Sequence, residues 1–216
     1  MPPARDYKRL LPGDRGPNTG GMGGYTRPAY ADADLLDEVE RRILRPTIDG
    51  MGTEGNPYRG VLYAGLMLTP SGPKVLEFNC RFGDPECQLI LPLLDADLSE
   101  ICQSVTEAKL EAAAVRWRRG RTFGIVLAAP GYPEAPQTGD AIDGLDDLPE
   151  DVLIFHAGTR LGPDGSTRTA GGRVLTVVGE QRETVLAAAD AIRFAGKQHR
   201  ADVGLEVPMP TGAAAR

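Results

Sequence analysis

Three residues spaced two apart, Glu77, Asn79 and Arg81, carry the most concentrated chemistry in this chain. They fall in the run 74–82, whose β-compatible residues predict a strand. A strand repeats every two residues, so Glu77, Asn79 and Arg81 share one face while Leu76, Phe78 and Cys80 share the other, which is expected to be core. Two hard oxygen ligands one strand repeat apart suit Mg²⁺, which keeps waters and phosphate oxygens in its remaining positions. Arg81, just beyond them, could bind the negative charge that develops during phosphoryl transfer. The same alternation also describes an ordinary solvent-facing strand edge. Upstream, residues 14–25 read Asp-Arg-Gly-Pro-Asn-Thr-Gly-Gly-Met-Gly-Gly-Tyr, where five glycines leave much backbone free to approach a ligand. This stretch is expected to be a loop rather than a core element, and without a ligand such a cluster is simply a turn.

The elements that must position these residues follow from patterning. The runs 61–68 and 74–80 are joined by Thr69-Pro70-Ser71-Gly72-Pro73, turn chemistry that predicts a hairpin. Leu35, Leu36, Val39, Ile43 and Leu44 recur at helical spacing behind Asp32 and Asp34, either of which could cap a helix that Pro46 ends or kinks. Asp97-Leu98-Ser99-Glu100 has the order of a helix start, with Leu98, Ile101, Cys102 and Val105 on one face. The pattern then breaks into Trp117 among Arg116, Arg118, Arg119 and Arg121, and a β-rich section begins at Phe123. A domain boundary is expected there. Strands are predicted at 152–155 and 173–178, a last helical face at Val185, Ala188, Ala189 and Ile192, and a frayed tail after Leu205.

The chain has 216 residues, with 24 Lys and Arg against 30 Asp and Glu, a formal charge of −6. That length holds at most two compact domains. The acidic balance and the six percent of aromatic residues argue against nucleic acid as a partner, because binding phosphates needs net positive charge. The arginines around Trp117 therefore read as a solvated linker. No run approaches the roughly 18 apolar residues of a membrane helix, and residues 1–8 lack the apolar core of a signal peptide, so a cytoplasmic protein with no membrane partner is expected. Cys80, Cys87 and Cys102 have no C-x-x-C spacing and His156 and His199 are the only histidines, so any metal must be held by oxygen. His156, in an apolar strand, reads as a hydrogen-bonded structural residue.

The run Arg81-Phe82-Gly83-Asp84-Pro85-Glu86-Cys87-Gln88 resembles, position for position, the signature of the phosphoribosylamine-glycine ligases, also called glycinamide ribonucleotide synthetases, a family of ATP-grasp ligases. Five further stretches resemble that family in order: Asp6-Tyr7-Lys8-Arg9, Gly16-Pro17-Asn18-Thr19-Gly20-Gly21-Met22-Gly23, Leu62-Tyr63-Ala64-Gly65-Leu66-Met67, Phe155-His156-Ala157-Gly158-Thr159 and Gly171-Gly172-Arg173-Val174-Leu175. The resemblance runs from about residue 2 to about residue 204 but covers only the C-terminal half of the family's usual enzyme. The N-terminal domain and the lid-bearing part lie upstream of the family position that Met1 matches, so a fragment or a truncated product is expected. The segment 179–189 looks several residues shorter than the family's usual connection.

The resemblance implies an α/β fold: the C-terminal part of an ATP-grasp domain with an antiparallel sheet over 1–116, a small mixed α/β C-terminal domain over 117–205, and a disordered tail at 206–216. It implies an ATP-dependent ligase of purine biosynthesis that phosphorylates the glycine carboxylate, after which the amine of 5-phosphoribosylamine attacks the acyl phosphate. By resemblance Glu77 and Asn79 match the ligands of Mg²⁺ or Mn²⁺, and Arg81 faces the reacting carboxylate or acyl phosphate. Lys8 is a candidate for contact with ATP phosphates or substrate, or a solvated surface lysine. Asn18, Thr19, Gly20, Gly21, Met22 and Gly23 offer consecutive backbone N–H groups suited to a phosphate or an acyl phosphate. Asp84 and Glu86 are placed to receive the ammonium of glycine or of the amino sugar, a role compatible with Asp84 and Pro85 opening a helix. Glu77, Asn79 and Arg81 are expected to point toward 18–23. The chain alone is expected to be inactive, its partners being glycine, 5-phosphoribosylamine, ATP and a separate N-terminal half. The alternative is a non-catalytic fragment or interaction module that complements such a half.

Overall fold

The computed structural model describes residues 1–205, and the tail expected at 206–216 lies outside them. In chain order the first elements are β1 (Ala4–Asp6), β2 (Arg9–Leu11), β3 (Arg15–Asn18), β4 (Gly23–Thr26), α1 (Ala33–Val39), a π-helical turn (Glu40–Leu44) and α2 (Arg45–Thr53). Then come β5 (Tyr63–Thr69), β6 (Gly72–Asn79), α3 (Glu86–Ile90), α4 (Leu98–Thr106) and β7 (Phe123–Ala128). The last are β8 (Leu153–His156), β9 (Thr159–Leu161), β10 (Thr167–Thr169), β11 (Arg173–Gly179) and α5 (Arg182–Ala191). The mixed α/β fold with antiparallel sheets is thus present. It packs as two compact units: one gathers 1–27, 84–93 and 119–205, the other 28–83 and 94–118. Packing therefore gathers 1–27 with the later part of the chain, whereas the expected segments 1–116 and 117–205 follow chain continuity.

The larger unit is organised on a five-stranded, wholly antiparallel sheet in the order β1-β4-β7-β11-β8. In β11, Val174, Leu175, Val177 and Val178 are all fully buried, as are Val126 and Leu127 in β7, because both faces of these central strands are covered. Val185, Ala188, Ala189 and Ile192, the predicted helical face, close the main core with Ile125, Leu127, Leu175 and Val177. Residues 23–25, within the stretch 14–25 expected to be loop, instead belong to the fully buried interior strand β4. The glycines are the reason. Gly24 lies opposite Gly124 in the β4–β7 register, and together they leave a groove that Leu89 of α3 fills. A Cβ on Gly124 would sit 2.4 Å from Leu89 Cδ2, and one on Gly24 would sit 2.3 Å from the Arg5 carbonyl oxygen. Thr122 Oγ1 also donates to the Leu89 carbonyl at 2.6 Å, which pins the C-terminal end of α3 to the same strands.

In the smaller unit Asp32, not Asp34, caps α1 by accepting from the Leu35 N–H. The helix does not end at Pro46. It continues to Thr53 because the π-helical turn at 40–44 precedes the proline, widening the helix where a regular i−4 hydrogen bond would be lost. The expected hairpin forms: β5 and β6 pair in antiparallel register with Tyr63 opposite Asn79 and Gly65 opposite Glu77. The expectation that Leu76, Phe78 and Cys80 face a core is not met, since all three are exposed, Leu76 at 64%. Two causes are visible. A register shift makes Leu76 an extra residue that breaks the alternation, and β5 and β6 pair only with each other among the described residues. Asp97 caps α4 through the Ser99 and Glu100 N–H groups, as its sequence requires.

The groove makes a direct prediction about stability. Gly124→Ala should lower stability by about 1–3 kcal/mol through overpacking against Leu89. Shortening the obstructing side chain removes the clash, so Gly124→Ala combined with Leu89→Ala should cost less than the two single changes added together. Urea unfolding midpoints of the three variants measure this, and strict additivity would show that the groove does not set the packing.

Candidate functional site

The sequence-predicted residues fall into two groups, one in each compact unit. In the smaller unit, β6 carries Glu77 and Asn79 on the stretch where register with β5 is regular, so both side chains leave the same face. Glu77 is exposed and Asn79 half-buried. Arg81 lies just past the strand end, exposed, with its Nη1 donating to the Phe82 carbonyl at 2.7 Å. Among the described residues no three His, Cys, Asp or Glu side chains gather into a metal cluster. A hard divalent cation on Glu77 and Asn79 would therefore complete its shell from water and phosphate oxygens, which is how Mg²⁺ is commonly held.

The larger unit brings together Lys8, residues 18–23, Asp84 and Glu86. Asn18 and Gly20 are exposed and Thr19 half-buried, whereas Gly21, Met22 and Gly23 are buried, Met22 within a small core with Leu10 and Ala128. The loop's amides already have protein acceptors. The Thr19 N–H donates to the Lys8 carbonyl at 2.8 Å, Gly20 to Tyr132 OH at 2.9 Å, Gly21 to Thr19 Oγ1 at 3.0 Å and Met22 to the Tyr7 carbonyl at 2.9 Å. Gly21, at φ +124°, is glycine for two reasons: few side chains adopt that angle, and a Cβ there would lie 2.5 Å from Pro85 Cδ and 2.9 Å from Asp6 Oδ1. The turn at 84–85 is thus fitted directly against the loop.

Asp84 and Glu86 have different surroundings. The Asp84 carboxylate is half-exposed and accepts from Gln88 Nε2 at 3.1 Å and from Arg173 Nη2 at 3.0 Å. Glu86 is 4% exposed. Its charge acts on Asp6, a buried carboxylate ion-paired with Lys8. Burial pushes the Asp6 carboxyl up to about 6 against the pull of the Lys8 ammonium, and the nearby Glu86 charge adds to the rise. Asp6 Oδ1 is buried without a hydrogen-bond partner. Cys87, next after Glu86, has its thiol raised by burial and by Asp84 and Glu86. His156 makes the structural hydrogen bond expected of it, Nδ1 to Thr159 Oγ1 at 3.0 Å.

Sequence reasoning missed Asp6, Tyr132 and Arg173 as members of this site. Asp6 and Arg173 lie within family-like stretches, so a signal was present, but nothing in their spacing shows that one is buried beneath Gly21 and the other reaches Gly20 and Asp84. Tyr132 carried no signal.

Two family models match the chain: the ATP-grasp (A) domain of phosphoribosylglycinamide synthetase over residues 1–87, and its C domain over residues 122–206. A phosphoribosylamine-glycine ligase from Caulobacter vibrioides is 47% identical over 93% of this chain and 49% of its own length. The trifunctional purine biosynthetic protein adenosine-3 of Gallus gallus is 50% identical over 94% of this chain and 21% of its own length. The crystal structure of a phosphoribosylamine-glycine ligase from Thermotoga maritima superposes with a TM-score of 0.83 at 40% identity, covering 94% of this chain and 51% of that one. A biotin carboxylase from Campylobacter jejuni, at 12% identity and a TM-score of 0.55, shares the fold alone. The chain spans about half the length of the single-function ligases it matches.

The buried Asp6 sets a pH dependence. Its folded pKa of about 6 lies above the 3.8 of the unfolded chain, so its contribution is complete below about pH 4 and is lost as pH rises through 6. The loss is on the order of 2–3 kcal/mol by pH 7. Asp6→Asn should therefore flatten the fall in stability between pH 4 and pH 7, read from urea midpoints across that range. Parallel curves for the variant and the parent would show that Asp6 is not ionising against burial.

Proposed function

Because the chain belongs to the phosphoribosylglycinamide synthetase family, we propose that it supplies the metal-binding and substrate-orienting part of a ligase that uses ATP to join glycine to 5-phosphoribosylamine. The observation that carries this reading is the meeting, in one unit, of Gly20, Asp84 and Arg173, drawn from three family-like stretches far apart in sequence. By function the chain divides into an ATP-grasp part at 1–116 and a C-terminal domain at 117–205. The setting is cytoplasmic; no helix among the described residues is long and apolar enough to cross a membrane.

The reaction explains the residue types. A carboxylate oxygen is a poor leaving group, so the glycine carboxylate is first phosphorylated, and such a transfer is helped mainly by positioning and charge neutralisation. Glu77 and Asn79 would hold Mg²⁺ or Mn²⁺, which when bound would neutralise charge on the ATP phosphates. Arg81 stabilises the charge on the transferring phosphoryl group. Asp84, the accessible carboxylate, orients the amine-bearing substrate, while the buried Glu86 acts through its charge on the neighbouring Asp6. Lys8, ion-paired with Asp6 and exposed, presents its charge at the rim. With the N–H groups of 19–22 committed to protein acceptors, Asn18, Thr19, Gly20, Gly21, Met22 and Gly23 serve as a rigid wall whose accessible end, 18–20, lets substrate approach the backbone closely.

A separate N-terminal half is the partner that this reading requires, and the smaller unit supplies the observation that favours it. Val39 is its only buried large hydrophobic among the described residues, while Leu36, Ile48, Met51, Met67, Val75, Leu76 and Phe78 are exposed. So much uncovered apolar surface on one small unit favours a partner that covers part of it. A non-catalytic module complementing such a half makes the same use of that surface.

ADP release dependent on glycine and 5-phosphoribosylamine tests the proposal, measured for the purified chain with and without a separately expressed N-terminal half of the ligase. The chain alone should give no turnover, because an acyl phosphate in an open site hydrolyses, and mixing should restore it. In the mixture Glu77→Ala should cut turnover about a hundredfold or more, the scale of losing a group that stabilises the transition state. Near-normal turnover in that variant rules out the metal assignment, and no turnover in any mixture leaves the non-catalytic module.

A further inference from the structure

Arg173 opens β11, at the point where a register shift against β7 makes Val174 an extra residue and so turns Arg173 out of the strand's regular alternation. Its guanidinium makes three hydrogen bonds that cross the unit. Nη1 donates to the Gly20 carbonyl at 3.1 Å and to the Asp84 carbonyl at 2.9 Å, and Nη2 donates to Asp84 Oδ2 at 3.0 Å. The preceding residue serves the same arrangement. A Cβ on Gly172 would lie 2.4 Å from the Tyr132 ring, so the glycine makes room for the tyrosine whose hydroxyl accepts the Gly20 N–H. Both polar groups of Gly20 are therefore held by the segments that flank β7 and begin β11.

We propose that Arg173 is a positioning residue: it locks Gly20 of the loop and the backbone and carboxylate of Asp84 in one geometry, and so fixes the acceptor that orients the amine-bearing substrate. The planar fork of arginine matters here, because one guanidinium must reach two carbonyls and a carboxylate at once, which a lysine ammonium on a flexible stem holds less rigidly. The carboxylate of Asp84 remains half-exposed, so the clamp leaves it accessible while removing its freedom to rotate away. The proposal rests on the reading of Asp84 as a substrate-binding group.

Two measurements separate the proposal from that reading. The first needs no turnover. In the isolated chain, Arg173→Met should speed amide hydrogen exchange at Gly20, Gly21 and Met22 by about tenfold or more, the scale of losing charge-assisted hydrogen bonds, while the strand amides of 125–127 and 175–178 keep their protection. Unchanged exchange in the loop, or equal acceleration in the strands, overturns the clamp. The second uses the chain mixed with its N-terminal half. Arg173→Met should raise the KM for glycine or for 5-phosphoribosylamine about tenfold or more without raising that for ATP. Arg173→Lys should recover part of the loss, and Asp84→Asn with Arg173→Met should be no worse than Asp84→Asn alone. A fall in kcat with every KM unchanged, or additive losses in the double variant, overturns the proposal. Absence of turnover in the parent mixture counts against the ligase reading, and amide exchange then decides the clamp by itself.

Discussion

The close approach of α3 to β4 and β7 is the constraint on which the site in the larger unit depends. Leu89 enters the space left by the paired Gly24 and Gly124, and the Thr122 hydroxyl holds its carbonyl, so the helix has one position along the strands. That position fixes what precedes the helix. Pro85 is set against Gly21, and Asp84 arrives within reach of Arg173. A purely steric fit, with no charge in it, thereby decides where a carboxylate is presented. It also explains why the glycines are so dense at 20–24. They serve packing as much as any ligand, since at Gly21, Gly23 and Gly24 the approach is too tight for a Cβ.

Charge in the same unit is handled by pairing, and the pairs sit where strands must be held without a large core. Arg200 is fully buried, which is costly for a guanidinium unless every donor is used. It bonds Asp202 through Nε and Nη2, Asp14 and the Arg9 carbonyl through Nη1, and lies 4.7 Å from the centre of the Tyr7 ring. The β2–β3 ribbon is thus tied to 200–204, with the Tyr7 hydroxyl bonded by the Gly204 N–H at 3.1 Å. Since Tyr7 stands between Asp6 and Lys8, this network fixes the backbone that carries the strained acid and its ammonium partner. Asp6 contrasts with it: a buried carboxylate with an unpartnered oxygen is tolerated beside the site, as stored strain near functional groups often is.

Local rules made much of this legible from sequence. The 61–80 hairpin, the caps at Asp32 and Asp97, the buried β11 and the α5 face all follow from periodicity and turn chemistry, which act over a few residues. The misreadings share one cause. Residues 23–25 were expected to be loop because glycine is a turn former, yet the neighbour of Gly24 across the sheet, Gly124, is about a hundred residues away in the chain, and no local signal reports it. The core face expected at Leu76 and Phe78 failed because alternation names two faces without saying which is covered, and a one-residue bulge upsets even the alternation. The ends of the Arg173 clamp are likewise separated by 89 and 153 positions, so its residues could be quoted from sequence but not joined.

The division of apolar surface between the units extends this reasoning to function. The larger unit closes its core from its own strands and helices, so its clamp and ribbon can hold their geometry without help. The smaller unit cannot, because a two-stranded ribbon has too little area to bury both its faces, and isolated hairpins are marginal in water. Yet that ribbon carries Glu77 and Asn79. On the proposed reading these two are metal ligands, and ligands on an uncovered hairpin are held only as firmly as the hairpin itself, while phosphoryl transfer is sensitive to displacements of about an ångström. Covering the Phe78 side of β6 would therefore do more than bury apolar area. It would stiffen the strand from which both oxygen ligands project, so that on the proposed reading assembly with the N-terminal half and readiness of the metal site become one event.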